Sequence, residues 1–197
     1  MSSVVILVVA FLVGTVPFRN ILSRFLTPNR AVVVAFIFDA LKSILPIVLL
    51  SAPVLQSTRE ALSRVLDGTF LGVANSGNPL FLHLTALFVY LGNCFSPWMN
   101  FKGGRGVAVA FGCLLALSPI SAAMACCGFL LTFFSKRIIS LATLVGVALA
   151  AVTYLVLEPS GAELAVDIVF LLLFLSRYES NIDALLEDRE KAYVWKG

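Results

Sequence analysis

Residues 101–107 read Phe101-Lys102-Gly103-Gly104-Arg105-Gly106-Val107, the densest run of glycine and positive charge in the chain. Three glycines allow a sharp turn that brings backbone N–H groups close to a ligand, with two cations beside them. The apolar run that begins at Val107 predicts that the loop leads into a helix N-terminus. Such a terminus has unpaired N–H groups and a partial positive charge, so the stretch is typical of an anion site, most plausibly for phosphate. The alternative interpretation is a basic loop between membrane helices, whose glycines serve only a tight turn.

The composition around this loop predicts an all-α integral membrane protein. Of the 197 residues, 60% are hydrophobic and only 13% are charged, whereas a soluble domain averages roughly 25% charged residues. The mean hydropathy is +1.00. The length predicts a single transmembrane domain over residues 1–197. The formal net charge is only +3, and no basic face is available for a duplex, so nucleic acid is not an expected partner.

The apolar runs predict a bundle of about seven transmembrane helices, some of them short or broken. The predicted segments cover residues 4–26, 31–52, 80–95, 107–117, 120–134, 138–157 and 163–175, with a short surface helix at 55–66 and a polar tail from Arg177. Pro17 predicts a break within the first segment. The fourth segment is shorter than the roughly 20 residues that a ~30 Å hydrocarbon layer requires, so it is expected to be tilted, shielded, or to begin inside the membrane at the glycine loop.

Charged and metal-binding side chains are sparse within these segments. Asp39 and Lys42 lie three residues apart on one predicted helix face, where they can pair inside the bundle. The single histidine, His83, makes a poor metal site, so no metal is expected. The four cysteines lie in or beside apolar runs and are expected to pack as small hydrophobes.

The loops alternate in charge along the chain. Seven crossings place most of the basic loop residues on one face: Arg24, Arg30, Lys102, Arg105, Lys136, Arg137 and Arg177. By the positive-inside rule this face is cytoplasmic, with the N-terminus outside and the C-terminus in the cytoplasm. The break near Pro17, the glycine loop and the tail at Arg177 would then meet around one anion. No internal repeat supports a transporter.

Several motifs give the chain a resemblance to the bacterial acyl-phosphate:glycerol-3-phosphate acyltransferases, small enzymes of the cytoplasmic membrane. The central block resembles the family pattern Phe-Lys-Gly-Gly-Lys-Gly-Val-Ala, which follows a Gly-His pair. Weaker matches follow the family order: Gly14-Thr15-Val16-Pro17-Phe18, Asp39-Ala40-Leu41-Lys42, Ser140-Leu141-Ala142 and Arg177-Tyr178-Glu179-Ser180-Asn181-Ile182. The resemblance implies that the chain transfers an acyl group from acyl phosphate to glycerol 3-phosphate, which makes lysophosphatidic acid in phospholipid synthesis.

The chain also departs from the family pattern. Asn93 and Tyr178 stand where the family has histidines, while Thr15 and Arg105 replace serine and lysine. The family carries a second glycine-asparagine phosphate loop between its first two helices, and the connection from residue 18 to residue 39 is too short to hold it. We therefore expect a divergent member. The alternative is a catalytically degraded relative that acts as a membrane binding or partner protein.

The resemblance also implies which residues would form the site. The expected catalytic residues are Lys102, Thr15 and Asn181. The expected phosphate-binding residues are Gly103, Gly104, Arg105, Gly106, Arg177 and Arg24. For Thr15 a hydrogen bond back to its own helix, for Asn181 an N-cap, and for Arg177 a topology signal remain alternatives. We expect no cofactor, membrane lipid as surroundings, and a monomer.

Overall fold

The computed structural model describes residues 2–23, 27–51, 79–101, 103–157, 161–187 and 189, and these residues are helical apart from short connections. The helices in chain order are α1 (Ser2–Gly14), α2 (Phe18–Leu22), α3 (Pro28–Ser51), α4 (Pro79–Cys94), α5 (Val107–Leu117), α6 (Pro119–Lys136), α7 (Ile139–Leu157) and α8 (Gly161–Leu186), with a 3₁₀ turn at Pro97–Met99. The predicted surface helix at 55–66 lies outside the described residues.

Five described spans are long and apolar enough to cross a bilayer: Val4–Leu22, Arg30–Ser51, Pro79–Met99, Pro119–Lys136 and Ile139–Leu157. With the shorter α5 and the more polar α8, they give the predicted bundle of about seven helices. Large apolar side chains cover its outside, as lipid contact requires; Leu131 and Val156 are each 73% exposed. The chain is therefore an all-α, multi-pass integral membrane protein.

The predicted break in the first segment is confirmed, because α1 ends at Gly14 and α2 begins only at Phe18. Pro17 supplies no N–H for a helical bond and fixes its own φ, so the helix cannot run through it. Lys42 on α3 contacts this break, where its Nζ donates to the carbonyl oxygen of Val16 at 2.8 Å. The predicted pair is also confirmed, since Lys42 Nζ lies 2.6 Å from an Asp39 carboxylate oxygen.

The predicted end of the last segment near residue 175 is wrong. The helix α8 continues through Arg177 to Leu186. Its buried residues are Phe174, Tyr178 and Asn181, which recur at a spacing of four and three and so keep one face of the helix packed. Asn181 lies inside this helix, so the alternative that it caps a separate tail helix is also wrong.

The helix α4 lies in the core and holds α8 beside it. Val89, Tyr90 and Cys94 are fully buried. The ring of Tyr90 lies 4.6 Å from that of Phe170 on α8. This contact sets the C-terminal part of α8 next to the end of α4, where the glycine loop begins.

The cysteines divide between the core and the outside of the bundle. Cys94 and Cys113 are buried, whereas Cys126 and Cys127 on α6 are exposed. The expectation that all four pack in a core is therefore wrong for the α6 pair. A small thiol side chain suits a lipid-facing position as well as a buried one.

Candidate active site

The glycine loop is pinned to the end of α4. The N–H of Gly103 donates to the carbonyl oxygen of Cys94 at 3.1 Å. A Cβ at Gly103 would collide with the carbonyl oxygen of Asn93, so only glycine allows this close approach. The Tyr90 hydroxyl donates to the Arg105 carbonyl oxygen at 3.4 Å. These contacts hold both ends of the loop against one helix.

The loop leads into the N-terminus of α5, as the sequence predicted. Gly106 has a φ of 75° and caps the helix, a left-handed conformation that glycine adopts without strain. The N–H of Ala110 donates to the Gly106 carbonyl oxygen at 2.8 Å. The N–H groups of residues 107–109 precede this bond and have no acceptor within the helix. They make this end of α5 attractive to an anion.

Arg177 joins α8 to the loop. Its guanidinium donates to the carbonyl oxygens of Cys94 and Gly103, each at 3.2 Å, and lies 5.4 Å from the centre of the Phe95 ring. No salt bridge to Arg177 occurs in the described part of the chain. Its positive charge therefore lies beside the loop. A residue that served only as a topology signal would not need these contacts with the loop.

Two amide side chains accompany this arginine. Asn181 lies one helical turn beyond Arg177, on the same face. It is 3% exposed, and its Nδ2 is buried without a hydrogen-bond partner among the described residues. Asn93 accepts a hydrogen bond from Lys42 at 3.0 Å, and a Cβ at Gly104 would lie 3.6 Å from its Nδ2. Asn93 therefore offers an N–H group beside the loop, and Asn181 offers a buried, unpaired one on the Arg177 face of α8.

Thr15 lies in the break between α1 and α2 and is 2% exposed. Its hydroxyl donates to the Leu12 carbonyl oxygen at 2.7 Å, which is the helix back-bond expected as the alternative. Trp98 Nε1 donates to the same hydroxyl at 3.2 Å, and the Ser96 hydroxyl donates to the Thr15 carbonyl oxygen at 2.6 Å. The break thus contacts Ser96 and Trp98, in the segment between α4 and the glycine loop, and the Thr15 hydroxyl is already bonded.

The remaining predicted site residues differ in placement. Arg105 lies in the loop with its side chain exposed. Lys102 and Arg24 lie outside the described residues. Tyr178, at the position of a family histidine, is 2% exposed and stacks on Phe174 at 5.5 Å. Its ring packs in the core of the bundle.

An apolar groove of about 480 Å³ begins where the loop ends. Its walls come from α3, α5, α6, α7 and α8, and include Val107, Phe111, Leu114, Phe129, Val147 and Phe170. Sequence reasoning did not locate it, because apolar residues that line a groove do not differ in type from those that face lipid.

A polar cluster borders this groove and was also missed. His83 Nδ1 is 2.8 Å from an oxygen of Asp167, and His83 Nε2 is 3.3 Å from the Tyr154 hydroxyl. Tyr154 and Asp167 line the groove. The signal that could have revealed the cluster was present, since ionisable residues within predicted membrane helices are rare and have partners.

The family model for glycerol-3-phosphate acyltransferase matches residues 26–188. A glycerol-3-phosphate acyltransferase of Methylobacillus flagellatus is 39% identical over 55% of this chain and 55% of its own length. An enzyme of the same name from Neisseria meningitidis is 36% identical over 66% of this chain and 62% of its own length. A second, from another strain of that species, is 31% identical over 82% of this chain and 72% of its own length. The chain thus spans little more than half the length of the first of these curated relatives.

The fold also matches solved structures. Two crystal structures of PlsY, an integral membrane glycerol 3-phosphate acyltransferase, were solved in a glycerol 3-phosphate form and a lysophosphatidic acid form. Each has a TM-score of 0.78 at 24% identity and covers 98% of this chain and 96% of its own. At that identity the likeness supports the helical fold. The family model's match over residues 26–188 leads to one conclusion: this chain belongs to the glycerol-3-phosphate acyltransferase family.

Proposed function

We propose that the protein transfers an acyl group from acyl phosphate to glycerol 3-phosphate, which yields lysophosphatidic acid and inorganic phosphate for phospholipid synthesis. One observation carries the proposal: Arg177 holds the glycine loop from α8, and the apolar groove begins at Val107, directly after that loop. A substrate with an anionic head and a hydrocarbon tail fits this arrangement. Membership of the family supports the same reaction.

The loop would bind the phosphate groups. Gly103, Gly104 and Gly106 let the backbone approach closely, and the N–H groups at the start of α5 point toward an anion. Arg177 contributes a cation from α8. The cations of Arg105, Lys102 and Arg24 complete the proposed phosphate-binding set, in the manner that guanidinium and ammonium groups commonly bind phosphate.

The chemistry requires positioning and charge stabilisation without a covalent enzyme intermediate. A glycerol 3-phosphate hydroxyl oxygen attacks the acyl carbonyl carbon and forms the new ester bond. The bond from that carbon to the phosphate oxygen breaks, the phosphate leaves with the electron pair, and the hydroxyl proton ends on the released phosphate. Lys102 and Asn181 would donate to the developing negative charge. Thr15 would contribute its hydroxyl after release from Leu12. No cofactor or metal is required.

The groove would hold the acyl chain. It is lined by apolar side chains from the loop onward, and each buried methylene contributes about 0.8 kcal/mol. An acyl phosphate would therefore be bound at both ends, by charge at the loop and by apolar contact along α5. Entry from lipid between the helices needs no passage through water.

The orientation follows from the same proposal. The loop would face the cytoplasm, where glycerol 3-phosphate is soluble, with the N-terminus outside, the C-terminus inside, and the cytoplasmic membrane as the location. The basic residues of this face agree with the positive-inside rule. One copy, folded as a single domain over residues 1–197, supplies all proposed groups, so we propose a monomer.

Purified protein in detergent tests the proposal directly. With palmitoyl phosphate and labelled glycerol 3-phosphate, we expect labelled lysophosphatidic acid and one inorganic phosphate per product. An acyl thioester offered in parallel tests the choice of donor. If no product forms while a family relative is active beside it, the enzyme proposal is wrong. Saturable glycerol 3-phosphate binding without turnover would instead indicate the degraded binding protein.

A further inference from the structure

We propose that Asn93 is a further phosphate-binding residue of this site and that Lys42 is the positioning residue that orients it. The inference rests on the proposed acyltransferase function and adds a donor to it. The Asn93 side chain would donate to a phosphate oxygen held at the glycine loop. Either glycerol 3-phosphate or acyl phosphate carries such a group. Asn93 is the last residue but one of α4.

The orientation of the Asn93 amide follows from the chemistry of Lys42. Lys42 Nζ lies 3.0 Å from Asn93 Oδ1. An ammonium group has three donors and no acceptor, so the atom that faces it must be the amide oxygen. Lys42 is itself buried and is held by Asp39 and by the carbonyl oxygen of Val16. The two amide N–H groups of Asn93 are therefore turned away from Lys42.

These N–H groups lie beside Gly104. A Cβ at Gly104 would stand 3.6 Å from Asn93 Nδ2, its nearest neighbour. Neither this Nδ2 nor the backbone N–H of Gly104 donates a hydrogen bond to another of the described residues. Asn93 is only half-buried, so a ligand can reach its amide. The end of α4 and the loop thus present two neighbouring donors to one anion.

Backbone contacts fix the amide relative to the loop. The Gly103 N–H donates to the carbonyl oxygen of Cys94 at 3.1 Å. The backbone of Gly103 lies so close to the Asn93 carbonyl oxygen that no Cβ would fit between them. Arg177 donates to the carbonyl oxygens of both Cys94 and Gly103. The Asn93 amide therefore stays beside Gly104 without any movement of α4.

An aspartate at this position separates phosphate binding from stability. Asn93→Asp has nearly the same shape and offers Lys42 a charged acceptor, so its thermal midpoint should equal or exceed that of the parent. A carboxylate has no N–H to donate and repels phosphate. We therefore expect the KM of the substrate whose phosphate is contacted to rise at least about tenfold.

A histidine should restore much of the binding. At pH 8 the ring is largely neutral, with one nitrogen that can accept from Lys42 and one N–H that can donate to phosphate. The KM of Asn93→His should lie within about threefold of the parent value. Asn100→Asp is the matched control, because it adds the same charge at an exposed residue whose left-handed backbone aspartate tolerates. Its KM values should stay within about twofold of the parent values.

Steady-state kinetics at pH 8 with each substrate varied in turn identifies the phosphate. If Asn93 contacts glycerol 3-phosphate, that KM should rise with little change in kcat, because this phosphate takes no part in the reaction. If Asn93 contacts acyl phosphate, kcat should fall as well, because the contacted phosphate is the leaving group. Both results support the inference and assign it to one substrate.

The positioning role of Lys42 has its own test. The Asp39→Leu/Lys42→Met variant removes the contact that orients the amide and leaves no unpaired charge. It should raise the same KM at least about threefold in the presence of Asn93. Added to Asn93→Ala, it should raise that KM no further, because there is no amide left to orient. Effects on KM that multiply would contradict this role.

Unchanged KM values for both substrates in Asn93→Asp would overturn the inference. So would a KM for Asn93→His as high as that of Asn93→Asp, or failure of Asn93→Asp to fold, since Lys42 should accommodate the carboxylate. Inorganic phosphate gives a readout without turnover: it should raise the thermal midpoint of the parent more than that of Asn93→Asp. Absence of turnover in the parent counts against the proposed function, whereas an equal phosphate shift in the two proteins counts against Asn93.

Discussion

The guanidinium of Arg177 lies 3.2 Å from the carbonyl oxygen of Gly103, and this contact joins the last helix to the glycine loop across 74 residues of sequence. The same guanidinium donates to Cys94 at the end of α4. One cation therefore links α4, the loop and α8. The arrangement places a positive charge at the point where the apolar groove begins.

Replacing Arg177 with alanine should lower kcat/KM by at least about tenfold. Hydrogen bonds from a charged group contribute roughly 1.5–3 kcal/mol each, and the proposed phosphate would also lose a cation. Arg177→Lys should recover part of the rate, because it keeps the charge but loses the planar donor geometry. Arg189→Ala is the control, since that side chain is 68% exposed near the end of the chain. Equal kcat/KM in all three variants and the parent would contradict the role of Arg177.

Gly103→Ala should destabilise the protein by about 1–3 kcal/mol, as overpacked positions do. The new Cβ would collide with the backbone of Asn93, which cannot rotate away as a side chain can. Gly104→Ala should change the thermal midpoint little, because the nearest atom to its Cβ would be 3.6 Å away. Thermal unfolding in detergent compares the two. A larger loss for Gly104→Ala would show that the loop packs differently.

Lys42→Met should be strongly destabilising, by about 3–5 kcal/mol, because it leaves the largely buried carboxylate of Asp39 without its partner. Lys42 is 6% exposed and also bonds Val16 and Asn93. The double variant Asp39→Leu/Lys42→Met should recover much of the loss, since a buried pair can be replaced by apolar residues.

The pairing of Lys42 with Asp39 is tested by whether the effects of the two substitutions on stability add. Thermal midpoints of the parent, both single variants and the double variant complete a double-mutant cycle. Losses that simply add would contradict a direct Asp39–Lys42 pair.

Asn181→Leu should separate activity from stability. The Nδ2 of Asn181 is buried without a partner among the described residues. Because an unsatisfied buried donor is unfavourable by about 1–3 kcal/mol, a leucine of similar size should leave the thermal midpoint unchanged or higher. The rate should fall at least about tenfold if that amide donates to the substrate. A lower midpoint with an unchanged rate would make Asn181 a structural residue.

The sequence predicted the features that depend on local chemistry. Pro17 predicted the helix break, Asp39 and Lys42 predicted their pair, and Val107 predicted the start of α5. Each depends on a rule about a few neighbouring residues. The extension of α8 was missed because the charged residues after Leu175 were interpreted as a polar tail. Tyr178 nevertheless belongs to a buried face that continues along the helix.

The features that were missed depend on distant residues coming together. The groove uses ordinary apolar side chains of five helices, so no single segment differs from a lipid-facing one. The cluster joins His83 to Asp167 across 84 residues. Asn93 was interpreted only as the loss of a histidine, whereas its contact with Lys42 and its place beside Gly104 depend on the fold.

The central claim is that the glycine loop binds a substrate phosphate, and acyl transfer by Lys102→Ala tests it most directly. The matched control is Lys136→Ala, which removes an exposed cation at the end of α6. With palmitoyl phosphate and labelled glycerol 3-phosphate, the parent and Lys136→Ala should form lysophosphatidic acid at similar rates, and Lys102→Ala should form none. Retention of the parent rate by Lys102→Ala would contradict the claim.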